Sequence, residues 1–119
     1  MPSRADLFAD IDSMQPDRFA QHLSPDATMR FGNAPAVHGR EAICDAWASF
    51  CETIDGVRHD VVEQWDAGDA TIVEASVTYT RKDQSTVTVP VVTIYRAGDE
   101  LIDDYRIFID LAPLFAEGS

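Results

Sequence analysis

An α+β fold, with three N-terminal helices packed on one concave face of a curved, mostly antiparallel sheet, is what the sequence predicts. Apolar residues recur at helical spacing through the first part of the chain. After Ile54, four longer segments alternate in the manner of strands, with turn signals between them. No linker, repeat or low-complexity run divides the 119 residues. They therefore form one domain over residues 1–119, long enough to bury roughly two thirds of the unfolded chain's surface.

Each element follows from local chemistry. Ser3 and Asp6 form an S-x-x-D helix start, after which Leu7, Phe8, Ile11 and Met14 keep helical spacing. Pro16 suits the first turn of a short second helix carrying Phe19 and Leu23, which stops before Pro25. Residues 27–31 read as a short strand and Gly32-Asn-Ala-Pro35 as a turn. A third helix, from about Arg40 to Ile54, carries Ile43, Ala46, Trp47, Phe50 and Ile54 along one stripe.

The strands come next. Residues 57–65 end at the turn Asp66-Ala-Gly-Asp69. Residues 70–81 set Val73, Ala75, Val77 and Tyr79 against Glu74, Ser76 and Thr78, and Lys82-Asp-Gln-Ser85 closes the hairpin. Residues 86–96 put Val87, Val89, Val91, Thr93 and Tyr95 on one face. The turn Ala97-Gly-Asp-Glu100 leads into the closing strand, residues 101–110.

Composition removes several function classes. Nine Lys and Arg against 21 Asp and Glu give a net charge of −12. That field repels phosphate backbones and anionic lipid, so neither nucleic acid nor a membrane surface is an expected partner. No apolar leader or membrane-length stretch is visible. Cys44 and Cys51 lie about 10 Å apart along the third helix, too far for a mutual disulfide. Free thiols without an export signal predict a reducing cytoplasm. His22, His38 and His59 lack ligand spacing, and there is no zinc-type cysteine pair, Gly-rich phosphate loop or G-x-S-x-G elbow. No metal and no cofactor are expected.

Two segments carry a family resemblance. Phe31-Gly-Asn-Ala-Pro-Ala-Val-His-Gly-Arg-Glu-Ala-Ile43 resembles the strand, proline turn and G-R-x-x-I helix start of SnoaL-like proteins, within the nuclear transport factor 2-like superfamily. Gly98-Asp-Glu-Leu-Ile-Asp-Asp-Tyr-Arg-Ile-Phe-Ile-Asp110 looks like the G-x-I-x-x-(W/Y)-R-x-(Y/F)-x-D ending of the same group. The resemblance spans nearly the whole chain and implies a cone in which sheet and helices enclose a pocket, commonly in homodimers joined through the sheet. It assigns Asp110 as the last-strand general base of polyketide cyclases and limonene epoxide hydrolases, and Asn33 as the asparagine that holds a nucleophilic water. The hydrolases' R-x-D pair falls at Ala75 and Val77, and their tyrosine at Phe31. Without that arginine, ring opening lacks its proton donor, so epoxide hydrolysis is disfavoured. The mid-chain base and oxyanion-hole tyrosine of the ketosteroid isomerases find no match.

Asp110 keeps two readings. In an apolar surround it is a desolvated base with a raised pKa. Before Leu111-Ala-Pro-Leu-Phe115 it is a helix cap, resting on the N–H groups of Ala112 and Leu114 because Pro113 has none. Strand alternation sets Tyr105, Ile107 and Ile109 against Asp104, Arg106, Phe108 and Asp110. Core packing turns the first set inward, whereas the resemblance turns Asp110 toward the pocket. Both hold if the sheet's other face is buried in a dimer.

On the same strand face, Arg106 is a partner for Asp110 or Asp104, and Tyr79 and Tyr95 are phenol donors for a developing enolate or a ligand oxygen, or packing aromatics. His38 is an acid or base at the pocket mouth. With Phe31 and Phe108 these residues form the expected binding set for a small hydrophobic molecule. The leading function is general-base isomerisation, aldol cyclisation or water addition. The alternatives are a non-catalytic pocket for a hydrophobic molecule and a dimeric association module.

Overall fold

The structure, a computed structural model, describes residues 4–98 and 101–115. Ser3 of the first helix start and Asp99-Glu100 of the last turn lie outside the described residues. The element order is α1 (Arg4–Asp12), α2 (Pro16–Ala20), β1 (Leu23–Phe31), β2 (Val37–His38), α3 (Arg40–Cys51), β3 (Gly56–Ala67), β4 (Ala70–Thr80), β5 (Thr86–Ala97), β6 (Ile102–Ile109) and α4 (Ala112–Phe115). The six strands form one sheet in the order β2-β1-β6-β5-β4-β3, antiparallel except where β1 runs parallel to β6. The α+β class is as the sequence predicts. The third helix follows two strands, and a fourth helical turn ends the described chain.

Alternation decides which face of the sheet is core. On β4, Val73, Ala75, Val77 and Tyr79 are buried, and Val89, Val91 and Thr93 match them on β5. Leu7, Phe8 and Ile11 of α1, Phe19 of α2 and Ile43 and Trp47 of α3 cover that face. Ile43 and Trp47 are four apart, which places them on one side of the helix.

Entry to α3 depends on Gly39. Its φ of 95° lies in the region that side chains with a Cβ avoid. This conformation lets its N–H donate to the Ala27 carbonyl at 2.7 Å while its own carbonyl accepts from Ile43 at 3.0 Å. The glycine of the G-R motif thereby ties the helix start to β1.

Several boundaries differ from the sequence reading. The second helix ends at Ala20, and Leu23 opens β1. The reason is sheet pairing: the His22 carbonyl accepts the Ile102 N–H at 2.7 Å and draws the chain into the sheet. Pro25, which has no N–H to give, falls in the stretch where the β1–β6 register breaks. The third helix stops at Cys51. Residues 37–38 also pair with β1, a strand too short to show a period.

Candidate functional site

The helix layer and the inner sheet face meet around a small cavity of about 30 Å³. That is room for one or two water molecules. Ile11 of α1, Phe19 of α2, Trp47 of α3 and inward side chains of β1, β3, β4, β5 and β6 line it, His59, Tyr79, Thr93 and Tyr105 among them. No Lys or Arg does. The walls are an aromatic lattice. Phe31 and Tyr79 each meet Phe50 edge-on, at 5.1 and 5.6 Å between ring centroids, and Trp47 stacks on Phe50 at 5.6 Å. Phe19 packs edge-on against both Trp47 and Tyr105. Such pairs fix ring orientation as well as burying area.

Polar chemistry enters this cavity at His59. Its Nδ1 lies 2.6 Å from Asp12 Oδ1, and its backbone N–H donates to Asp12 Oδ2 at 2.8 Å. Both carboxylate oxygens therefore serve one residue of β3. Phe8 packs on the imidazole at 5.0 Å, completing its support. Asp12 is the last residue of α1, where the helix dipole disfavours negative charge and no basic residue compensates. The pair of hydrogen bonds from His59 offsets that cost.

One turn of the same helix holds a second such pair. Asp10 Oδ2 lies 2.7 Å from His22 Nε2 and also accepts from Gln21 at 3.1 Å. His22 is buried but is not among the residues lining the cavity. It fastens α1 to the start of β1.

Two phenols face the same space as His59. Tyr79 lies one diagonal step from it across the β3–β4 pair, since His59 opposes Val77 and Val57 opposes Tyr79. Burial, and then the charge of Asp12, hold the Tyr79 phenol well above its usual 10. Burial does the same to Tyr105, with a hydrogen bond to Thr93 pulling the other way. Both rings are O–H donors at neutral pH. Trp47 is 6% exposed, and its indole Nε1 finds no hydrogen-bond acceptor among the described residues. A buried donor left so costs about 1–3 kcal/mol.

The sequence-predicted residues are divided between two faces of the sheet. Phe31 and Tyr79 line the cavity, and Tyr95 stacks on Tyr105 at 6.2 Å beside it. Arg106 and Phe108 lie instead on the outer face, in an open groove of about 680 Å³ with Thr28, Arg30, Ala36, Asp103 and Asp104. Of its two expected partners, Arg106 bonds Asp104, at 2.9 Å. Asn33 is exposed in the turn after β1. His38 is exposed too, its Nδ1 3.2 Å from Thr28 Oγ1.

Asp110 is exposed and absent from the cavity lining. Its Oδ1 accepts the Ala112 N–H at 2.9 Å, so the carboxylate caps the terminal turn. Core packing sets the direction of β6. Tyr105 is buried, Ile107 and Ile109 pack on the core, and the alternate set points out. Arg81 holds the same turn from the other side, donating to the carbonyls of Leu114 at 3.0 Å and Pro113 at 2.8 Å.

Sequence reasoning missed Asp12 and His59 because 47 residues separate them. One signal was available. Two acids in the last turn of a helix, beside the apolar Ile11, oppose the dipole and call for specific partners. Among the described residues, no three His, Cys, Asp or Glu side chains gather in a metal-holding group, and no helix is long and apolar enough to cross a membrane.

An α+β domain with helices on one face of a six-stranded, mostly antiparallel sheet is the fold of solved NTF2-like proteins. The family model for the SnoaL-like domain matches residues 5–105, and the chain belongs to that family. Solved structures agree on the fold. A hypothetical protein with a ketosteroid isomerase-like fold from Catenulispora acidiphila, in complex with trimethylamine, superposes with a TM-score of 0.83. It is 22% identical, over 91% of this chain and 85% of that one. A putative SnoaL-like polyketide cyclase from a Jannaschia species gives 0.80 at 23% identity, over 92% and 84%. TerC co-crystallised with polyporic acid gives 0.80 at 16%, over 92% and 90%. No curated protein matches the chain.

Proposed function

We propose that this chain is a general-base enzyme acting on a small, neutral, carbonyl-bearing ring compound, with His59 as the base and Asp12 as its orienting partner. The Asp12–His59 pair at the wall of an apolar cavity carries this reading. Donation from Nδ1–H to Asp12 leaves Nε2 with its lone pair, and the carboxylate stabilises the imidazolium that proton uptake creates. Nε2 takes a proton from the carbon next to the substrate carbonyl. Negative charge moves to the carbonyl oxygen, and Tyr79, protonated, donates to it. Return of the proton elsewhere gives isomerisation, and attack of the enolate on a second carbonyl gives cyclisation. The same base serves water addition. Asp110, on this reading, has a structural role.

The cavity is smaller than the roughly 300 Å³ that a ligand pocket ordinarily offers. Entry therefore proceeds by displacement of Phe31 and Phe50, the half-buried rings of the lattice, so that helices and sheet enclose the ligand as a cone. That a protein with this fold was co-crystallised with polyporic acid supports a small organic ligand. The test is exchange of the methyl protons of acetophenone in deuterium oxide, followed by NMR. The chain accelerates exchange and His59→Gln abolishes it. Acceleration that survives His59→Gln refutes the assignment.

The proposed assembly is a homodimer through the outer sheet face. Two registered rows cross that face: Trp65-Ile72-Ile94-Arg106-Arg30 and Glu63-Glu74-Val92-Phe108. The second row carries acids at its β3–β4 end, the first carries arginines at its β6–β1 end, and apolar residues make up the rest. A two-fold pairing lays each acidic side on the partner's arginines, which makes the patch self-complementary. Ile94→Glu yields a monomer by analytical ultracentrifugation. A monomeric parent chain refutes the assembly.

A further inference from the structure

We infer that His22 is a positioning residue for His59, acting at a distance by fixing the roll of α1 about its axis. The inference rests on the His59 reading above and names what keeps the orienting carboxylate in place. Successive helix residues project about 100° apart, so Asp10 and Asp12 leave opposite flanks of α1 with Ile11 between them. Ile11 is 5% exposed and lines the cavity. On one flank Asp12 holds His59 of β3. On the other, Asp10 Oδ2 meets His22 Nε2 at 2.7 Å, just before β1. The helix is clamped across its axis, and a roll that withdraws Asp12 from His59 must also break the bond between Asp10 and His22.

The other contacts of α1 fix that roll poorly. The helix has nine residues, and Leu7, Phe8 and Ile11 are its buried side chains. Apolar contact is non-directional and tolerates a small roll. The turn that follows gives little grip, because Met14 sits at φ 60°, where a side chain with a Cβ is disfavoured. His22 supplies the missing direction. It is 3% exposed, and its carbonyl accepts the Ile102 N–H at 2.7 Å, which anchors its backbone to the sheet. Gln21 gives Asp10 Oδ2 a second donor at 3.1 Å. Hydrogen bonds to a carboxylate are both directional and strong. His22 does not line the cavity, so its effect on the chemistry passes through α1.

The test reads the His59 ring by long-range ¹H–¹⁵N correlation, at a pH where the ring is neutral, in His22→Leu, His22→Gln and Asp10→Ala. His22→Leu fills the space without a donor. Asp12 then leaves Nδ1, and the ring proton moves mainly to Nε2. Asp10→Ala does the same. His22→Gln, whose amide puts a donor near the Nε2 position, keeps the proton on Nδ1. Acetophenone exchange at saturation falls roughly tenfold or more in His22→Leu, with the half-saturating concentration unchanged, and recovers in His22→Gln. A His59 ring that keeps its proton on Nδ1 in His22→Leu overturns the inference, whatever the loss of stability. So does a fall in exchange that His22→Gln does not recover, or one that lies in the half-saturating concentration alone. Asp10→Ala carries the ring measurement if His22→Leu fails to fold, since the Asp10 side chain is 20% exposed and leaves no large void. If the wild type does not exchange acetophenone, the reaction reading fails, and the ring proton still decides the positioning role.

Discussion

Replacing Asp12 separates its structural from its chemical role, because two substitutions have opposite consequences. Asp12→Ala removes both hydrogen bonds to His59, at 2.6 and 2.8 Å. The two side chains are 10% and 21% exposed, so water substitutes only in part. At about 1.5 kcal/mol for each bond to an ionised acceptor, near the low end for such bonds, the loss is roughly 3 kcal/mol. For a domain of this length that lowers Tm by about 10 °C. Asp12→Asn behaves differently. The His59 backbone N–H must meet an oxygen, so the amide oxygen takes the Oδ2 position and the NH2 group takes Oδ1. That NH2 donates to Nδ1, which then accepts, and the ring proton moves to Nε2. Stability is nearly retained, but Nε2 has no lone pair to act as base. Proton exchange on acetophenone falls by a factor on the order of 10³. Thermal unfolding and the exchange assay are run on both variants. An Asp12→Asn protein that keeps its exchange rate refutes the mechanism. An Asp12→Ala protein as stable as the parent refutes the energetic argument.

Asp110→Ala loses the cap on a four-residue turn and lowers stability by about 0.5–1 kcal/mol, with acetophenone exchange unchanged; an exchange rate that collapses without loss of stability returns the base to Asp110. At alkaline pH, Tyr79 and Tyr105 stay protonated in the fold beyond the usual 10, while the unfolded chain's tyrosines ionise near it. The unfolded state then binds fewer protons than the folded one, so stability declines as pH rises above about 10. A denaturation series from pH 8 to 11 checks this, and a flat profile contradicts it. Burial raises the Cys51 thiol to about 11, so it reacts slowly with a thiol reagent at pH 8 until the protein unfolds.

The fold was legible wherever a pattern was local. Alternation on β4 and β5 shows plainly because one face is buried and the other is not. Ile43 and Trp47 mark α3 through their spacing. Leu23 misled because its apolar character suits helix and strand alike, and a distant carbonyl–amide bond to Ile102 decided between them. The site was legible in its walls rather than its chemistry. Tyr79 and Phe31 line the cavity because they share the inward parity of their strands. Arg106 and Phe108 follow the opposite parity, and alternation alone assigns them outward. Asp110 carried both readings in its sequence, and the cap is the one with a hydrogen bond. Asp12 and His59 meet only through the packing of α1 on β3, which no spacing records.

The central claim concerns one proton. If Asp12 orients His59 as a base, long-range ¹H–¹⁵N correlation of the imidazole at neutral pH finds Nδ1 protonated and Nε2 carrying the lone pair. A neutral His59 ring with its proton on Nε2 contradicts the account.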